Sequence, residues 1–306
     1  MLRRAIHKLE RSHWARETRR VTHPFAWGIE HLGGDPARDE PRSFLRRYAE
    51  EAVASSEKFF STTAAEWYQF HEGVLTFPSA LQSPFPENNL VVARWFPSAP
   101  ASRDGMGRQR PSAPRRAVVV LPQWNAQPES HVNICRVLAR LGISALRWLE
   151  QQGYTRLGIL GTSIGSSVAF ITMAHEPALQ AGVFLHVSTY FADVVRTGLT
   201  TSHVWAGLES HVTAEELRQF WLPISPFPYV GRLQGAGKKL FIVSARYDLS
   251  FPPQYSRQLW EAMAEQRIAH QVLSLPCGHY TLGKLPFSYW AGLRFVPFLR
   301  RALAGS

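Results

Sequence analysis

Cysteine is scarce in this chain, and so is lysine. Two cysteines, Cys135 and Cys277, cannot build a disulfide framework. The simplest home for such a chain is a reducing cytoplasm. No apolar run approaches the ~20 residues of a membrane-spanning helix. The opening segment Met1–Glu10 has no apolar core for a secretory signal, and Glu10 and Glu17 argue against an organellar transit peptide. HExxH and CxxC patterns are absent, as is any carboxylate–histidine cluster of metal-ligand spacing, so no cofactor or metal is expected. No glycine-rich phosphate loop follows the first buried strand, and no zinc finger or RNP element appears, so no nucleic-acid partner is expected either. Only five of the 34 basic residues are lysine. Arginine dominance of this kind reflects codon composition more readily than a binding surface.

What the chain does have is size and apolar content. Its 306 residues are 45% hydrophobic, enough for one large α/β domain with an appendage. The formal charge is +11. Arg3, Arg4, Lys8, Arg11, Arg16, Arg19 and Arg20 cluster at the start. Such a cluster suits phosphates or an anionic membrane surface, although a solvated basic helix face is the plainer reading. Residues 1–71 read as a helical extension, with Phe44, Leu45, Tyr48 and Ala52 at helix spacing. Gly73–Pro78 and Leu90–Phe96 read as early strands, and 97–116 as a mobile Pro/Gly/Arg loop. Beyond it, buried-type strands at Ala117–Leu121, Ile143–Arg147, Arg156–Leu160, Gly182–Val187, Lys239–Ser244 and Gln271–Leu275 alternate with helices. The helices are placed at Ser130–Leu141, directly after the Arg156–Leu160 run, at Gln254–Gln266 and from about Ser288. This alternation predicts an α/β fold, a mainly parallel central sheet covered by helices on both faces.

One segment carries chemistry. Gly161-Thr162-Ser163-Ile164-Gly165 matches G-x-S-x-G, with an apolar strand before it and small helix-type residues after it. That context is the nucleophile elbow, a turn tight enough to need very small residues on either side of a protruding serine. A serine needs a base, and the base an orienting acid. Asp248 follows the strand Lys239–Ser244, and His279 follows the strand Gln271–Leu275. Ser163, Asp248 and His279 thus stand at three strand carboxyl ends in the order Ser, Asp, His. Asp193, after the strand ending at Val187, is the alternative acid. Cys277 lies two residues from His279, but nothing activates it, and it reads as a small loop-filling residue.

On these residues the chain resembles the α/β-hydrolase superfamily over roughly 72–304, and more loosely a divergent, poorly characterised bacterial branch of it. The resemblance implies Ser163 as nucleophile, His279 as general base and then acid, and Asp248 as the residue that fixes the imidazole tautomer. It also implies an oxyanion hole from the amides of Ile164 and of the Pro122–Pro128 loop, with Trp124 first choice and Gln123 second. Many relatives carry His-Gly where this chain has Gln123-Trp124. The hydrolase domain would then be 72–306. Within it, 189–236 would be an insert, aromatic with Tyr190, Phe191, Trp205, Phe220, Trp221, Phe227 and Tyr229. Such an insert reads equally as a cap over an acyl or aryl group and as a helical excursion with its own small core.

One stretch breaks the pattern. Eight residues, 148–155, separate Ile143–Arg147 from Arg156–Leu160. A parallel crossover with a helix needs about a dozen residues or more. Either the crossover helix is truncated, or Ile143–Arg147 is no true central strand. Two functions follow. The first is a serine esterase acting on a small or lipid-like acyl ester or thioester. The second is a non-catalytic binding or scaffold protein of the same fold, inactivated by loss of the helix.

Overall fold

The computed structural model describes residues 1–17, 20, 22, 24–61, 65–83, 85–97, 115–124, 126, 135, 143–144 and 153–304. Among the described residues six parallel strands form the central sheet: β4 (Arg115–Leu121), β5 (Ile143–Ser144), β6 (Tyr154–Thr162), β7 (Leu179–Leu185), β8 (Lys239–Ala245) and β9 (His270–Leu275). Their spatial order is β5-β4-β6-β7-β8-β9. The three strands β6, β7 and β8 are apolar and almost wholly buried, as a sheet covered on both faces requires. A separate antiparallel sheet holds β1 (Gln69–His71), β2 (Val74–Pro78) and β3 (Leu90–Arg94).

Each face of the central sheet has its own core. On one face α4 (Ile164–His175), α8 (Pro253–Glu265) and the 3-10 segment Phe227–Leu233 pack against Leu157, Ile159, Phe184 and Ile242. Helix α4 buries Phe170 and Met173 completely, each burial contributing roughly 1.5–3 kcal/mol. On the other face α10 (Phe287–Ala302) lays Phe295, Phe298 and Leu299 on Leu160, Val183 and Val243. The amino-terminal region supplies α1 (Leu2–Arg16), α2 (Pro41–Ala54) and α3 (Ser56–Phe59). Glu40 caps α2 by accepting from the amides of Arg42 and Ser43.

Between β7 and β8 lie α5 (Phe191–Thr197), α6 (Ser202–Leu208) and α7 (Ala214–Phe220). Thr213 and Glu216 form a capping box on α7. Ala192, Val212, Leu217 and Phe220 make a small core of their own, joined by Phe25, Trp27 and Leu45 of the amino-terminal region. A short helix, α9 (His279–Leu282), follows β9.

Several sequence boundaries shift. Strand β7 begins at Leu179 and ends at Leu185, and β6 begins at Tyr154. Arg115 and Arg116, expected in the loop, open β4 instead. The remainder of that loop, residues 98–114, lies outside the described residues, as do most of the helix expected at Ser130–Leu141 and the connection 145–152. Strand β5 is two residues long, and Ser144 stands beside Ala117 of β4. Strand β6 starts with Tyr154 beside Arg115 of the same strand. Among the described residues β5 is an edge strand, separated from β6 by β4. Leu160 of β6 is 1% exposed.

Candidate active site

The elbow follows from steric demands at three alternate positions, 161, 163 and 165. Ser163 has φ 57° and ψ −128°, a strained conformation between the end of β6 and the start of α4. A Cβ at Gly161 would lie 2.2 Å from the carbonyl oxygen of Gly165. A Cβ at Gly165 would lie 2.3 Å from the carbonyl oxygen of Pro122. Both clashes are with backbone, so no side-chain rearrangement relieves them. The Ser163 amide donates to Leu185 O at 2.9 Å, tying the turn to β7. The Ser163 carbonyl accepts from the amide and the hydroxyl of Ser166, at 2.8 and 2.6 Å.

Three side chains from three strand ends meet there. Nε2 of His279 lies 3.1 Å from Oγ of Ser163, and Nδ1 of His279 lies 3.0 Å from Oδ2 of Asp248. With Nδ1 protonated, His279 donates to the carboxylate and accepts from the serine hydroxyl. Oδ1 of Asp248 accepts from the amides of Ser250 and Phe251, each at 2.7 Å. Phe251 stacks on the His279 ring at 5.3 Å between centroids. Asp193, the alternative acid, is elsewhere engaged: both its oxygens accept from Nη2 of Arg218 at 2.8 Å. It joins α5 to α7, and the acid against His279 is Asp248.

A fourth residue was not anticipated. His186, one position beyond β7, has φ 66° and is buried. Its Nδ1 lies 2.7 Å from Oδ2 of Asp248, but is not aligned to make a hydrogen bond. Its ring centroid is 4.3 Å from that of His279. A lone histidine closing an otherwise apolar strand run was the available signal. The ring nitrogens and carboxylate of His186, Asp248 and His279 lie within 4.8 Å of one another, close enough to hold a cation. Both imidazoles turn Nδ1 toward the Asp248 carboxylate, and His279 hydrogen-bonds to it.

The electrostatics follow from burial and these contacts. Burial works against charge on Asp248, yet His279 and His186 outweigh it and hold the carboxyl well below its ordinary range. Burial also works against charge on His279, but Asp248 overrides it, helped by Glu10 and Glu17, and the imidazole is raised above its ordinary value. His186 is lowered by burial and by the neighbouring His279. The Cys277 thiol is pushed up to about 12, first by burial, and is fully buried, as a loop-filling residue would be.

A cavity of about 1000 Å³ opens over Ser163 and His279. Leu160, Leu185, Phe191 and Phe295 are among its apolar walls, and Gln123 and Trp124 line it from the loop after β4. Asn125 and residues 127–128 of that loop lie outside the described residues. From the stretch between β7 and β8, Phe191, Thr200, Thr201 and His203 reach the cavity, whereas Phe220 packs into the separate small core. Helix α1 and the segment after it contribute His13, Glu17 and Arg20. The other described basic residues of the amino-terminal cluster, Arg3, Arg4, Lys8, Arg11 and Arg16, are exposed; Arg19 is outside the described residues.

No family model and no curated protein matches the sequence. Solved structures do match in shape. An acylaminoacyl peptidase bound to a Z-Gly-Gly-Phe-chloromethyl ketone aligns with TM-score 0.56 at 12% identity, over 71% of this chain and 40% of its own. A Mycobacterium tuberculosis puromycin-hydrolyzing peptidase aligns with TM-score 0.55 at 14% identity, over 76% of this chain and 37% of its own. This chain has the α/β-hydrolase fold. It spans about two fifths of the length of these peptidases. Among the described residues of this hydrolase-fold chain, no helix is long and apolar enough to cross a membrane.

Proposed function

We propose that the protein is a serine hydrolase of carboxylic esters or thioesters. The observation that carries this reading is the hydrogen-bonded series from Asp248 through His279 to Ser163, at 3.0 and 3.1 Å. Oγ of Ser163 attacks the substrate carbonyl while Nε2 of His279 takes its proton. Asp248, fixed by two backbone amides, orients the ring and stabilises the imidazolium. The amides of Ile164 and Trp124 are assigned to the oxyanion. Ile164 opens α4, where an amide has no intrahelical partner and the helix dipole favours negative charge. His279 then protonates the departing alcohol or thiol. Water, deprotonated by the same histidine, attacks the acyl-enzyme, and Ser163 leaves with the proton restored.

The apolar walls at Leu185, Phe191 and Phe295 support an acyl or aryl group as the portion held in the cavity. A fluorophosphonate probe tests the reading, because it reports the activated serine without knowledge of the substrate. Labelling at Ser163, absent from Ser163→Ala, is expected. A panel of p-nitrophenyl esters of rising chain length, with an aminoacyl amide included because the structural neighbours include peptidases, then defines the substrate. An intact parent that neither labels nor turns over any panel member would overturn the proposal and leave a non-catalytic binding protein.

A further inference from the structure

The turn that carries His279 is held from the other end of the chain. Helix α9 begins with Gly278 at its N-cap, a residue with no side chain to accept from the first free amides. Glu10, on α1 and 270 residues away, supplies the acceptor. Its Oε2 accepts from the Tyr280 amide at 3.0 Å, and its Oε1 from the Thr281 amide at 3.1 Å. Glu10 is 0% exposed. It sits so close to the turn that a Cβ at residue 278 would lie 2.4 Å from its carboxyl carbon. The same helix grips the next residue. The Tyr280 hydroxyl donates to Glu17 at 3.0 Å, and the ring of His13 stacks on that of Tyr280.

We propose that Glu10 is a positioning residue of the active site, fixing the Gly278–Thr281 turn so that Nε2 of His279 stays within reach of Ser163. A buried carboxylate is costly to keep unless its bonds matter to the fold or the site. Here both oxygens serve amides that directly follow His279. The proposal rests on His279 acting as the base. The groups facing that ring are Ser163 from the elbow, His186 and Asp248 from the loops after β7 and β8, Phe251 on its face, Tyr280 at its edge, and Glu10 and Glu17 from α1 and the residue after it. The negative charge of Glu10 also favours protonated His279.

Glu10→Gln in the full chain is the test. Glutamine keeps one acceptor oxygen, but its NH₂ group faces an amide N–H. The kcat for ester hydrolysis should fall by about ten- to a hundredfold with KM little changed, the range expected when a buried amide loses its partner. The His279 imidazole, followed by NMR, should titrate at lower pH than in the parent. Glu10→Asp keeps the charge and shortens the reach, so kcat should fall while the titration stays near that of the parent. Lys8→Ala, on an exposed position of α1, should change neither. A folded Glu10→Gln protein with parental kcat and parental His279 titration would overturn the proposal. Unfolding of both Glu10 variants would also overturn it, by making Glu10 a general structural residue. Fluorophosphonate labelling of the parent reports separately on Ser163, so failure of the hydrolase reading is distinguishable: the His279 titration needs no turnover.

Discussion

At the scale of single residues, the distances at His279 decide what each substitution should cost. Ser163→Ala removes the attacking atom and His279→Ala removes the base, so each should lower kcat by at least about 10⁴. Because the pair acts as a unit, the double variant should be hardly slower than either single one. A short-chain ester assay checks this, and a Ser163→Ala protein as fast as its parent would place the chemistry elsewhere. Asp248→Asn keeps the shape of the site but presents an amide to Nδ1 of His279, so roughly 10⁴ should be lost through the wrong tautomer. Ser163, Asp248 and His279 were legible in the sequence because their chemistry demands particular residue types at strand ends. His186 was not, since an apolar strand run absorbed it. Glu10 could not be read at all: its role depends on a tertiary contact spanning 270 residues.

At the scale of elements, legibility followed burial. Strands β6, β7 and β8 are continuous apolar runs because both sheet faces are covered, and such runs are the strongest local signal. The edges were harder. Strand β1, exposed at all three positions, had no pattern to show. The helices between β7 and β8 depend on one another more than on local preference, and Asp193 is where they meet. Its carboxylate on α5 is 3% exposed and bound by Arg218 of α7, a side chain 48% exposed. Arg218→Ala should therefore destabilise the fold by about 1–3 kcal/mol, less than a fully buried pair would give, since water reaches the arginine side. Urea unfolding measures the loss. The same protein should retain parental kcat, because neither residue touches Ser163 or His279. An Arg218→Ala protein that kept its stability but lost turnover in the ester assay would return Asp193 to the list of candidate acids.

At the scale of the whole molecule, pH acts on activity and on stability in different ranges. Burial lowers His7, His175, His186 and His203 from the ordinary 6.5. Below that value the unfolded chain takes up protons at these four positions more readily than the folded one, so acid favours unfolding. His186, the most deeply buried of them, should contribute most. His279 runs the other way. Its raised value contributes stability that is fully present below 6.5 and is lost as pH rises through the folded value. Asp248 contributes above the ordinary 3.8 and loses that contribution only as pH falls through its depressed folded value, at the acid extreme. Turnover needs neutral His279, so kcat/KM should fall on an acid limb centred above 6.5. There the four lowered histidines are neutral in the folded state and mostly neutral in the unfolded one. The protein should thus be folded and inactive between that limb and the onset of acid unfolding below 6.5. Measuring kcat/KM and the thermal midpoint at each pH on one preparation tests this, with a return to pH 8 after each exposure. Full recovery from pH 6.5 is the expected result. An acid limb below 6.5, or activity lost in step with unfolding, would show that His279 is not held above its ordinary value by the carboxylates around it.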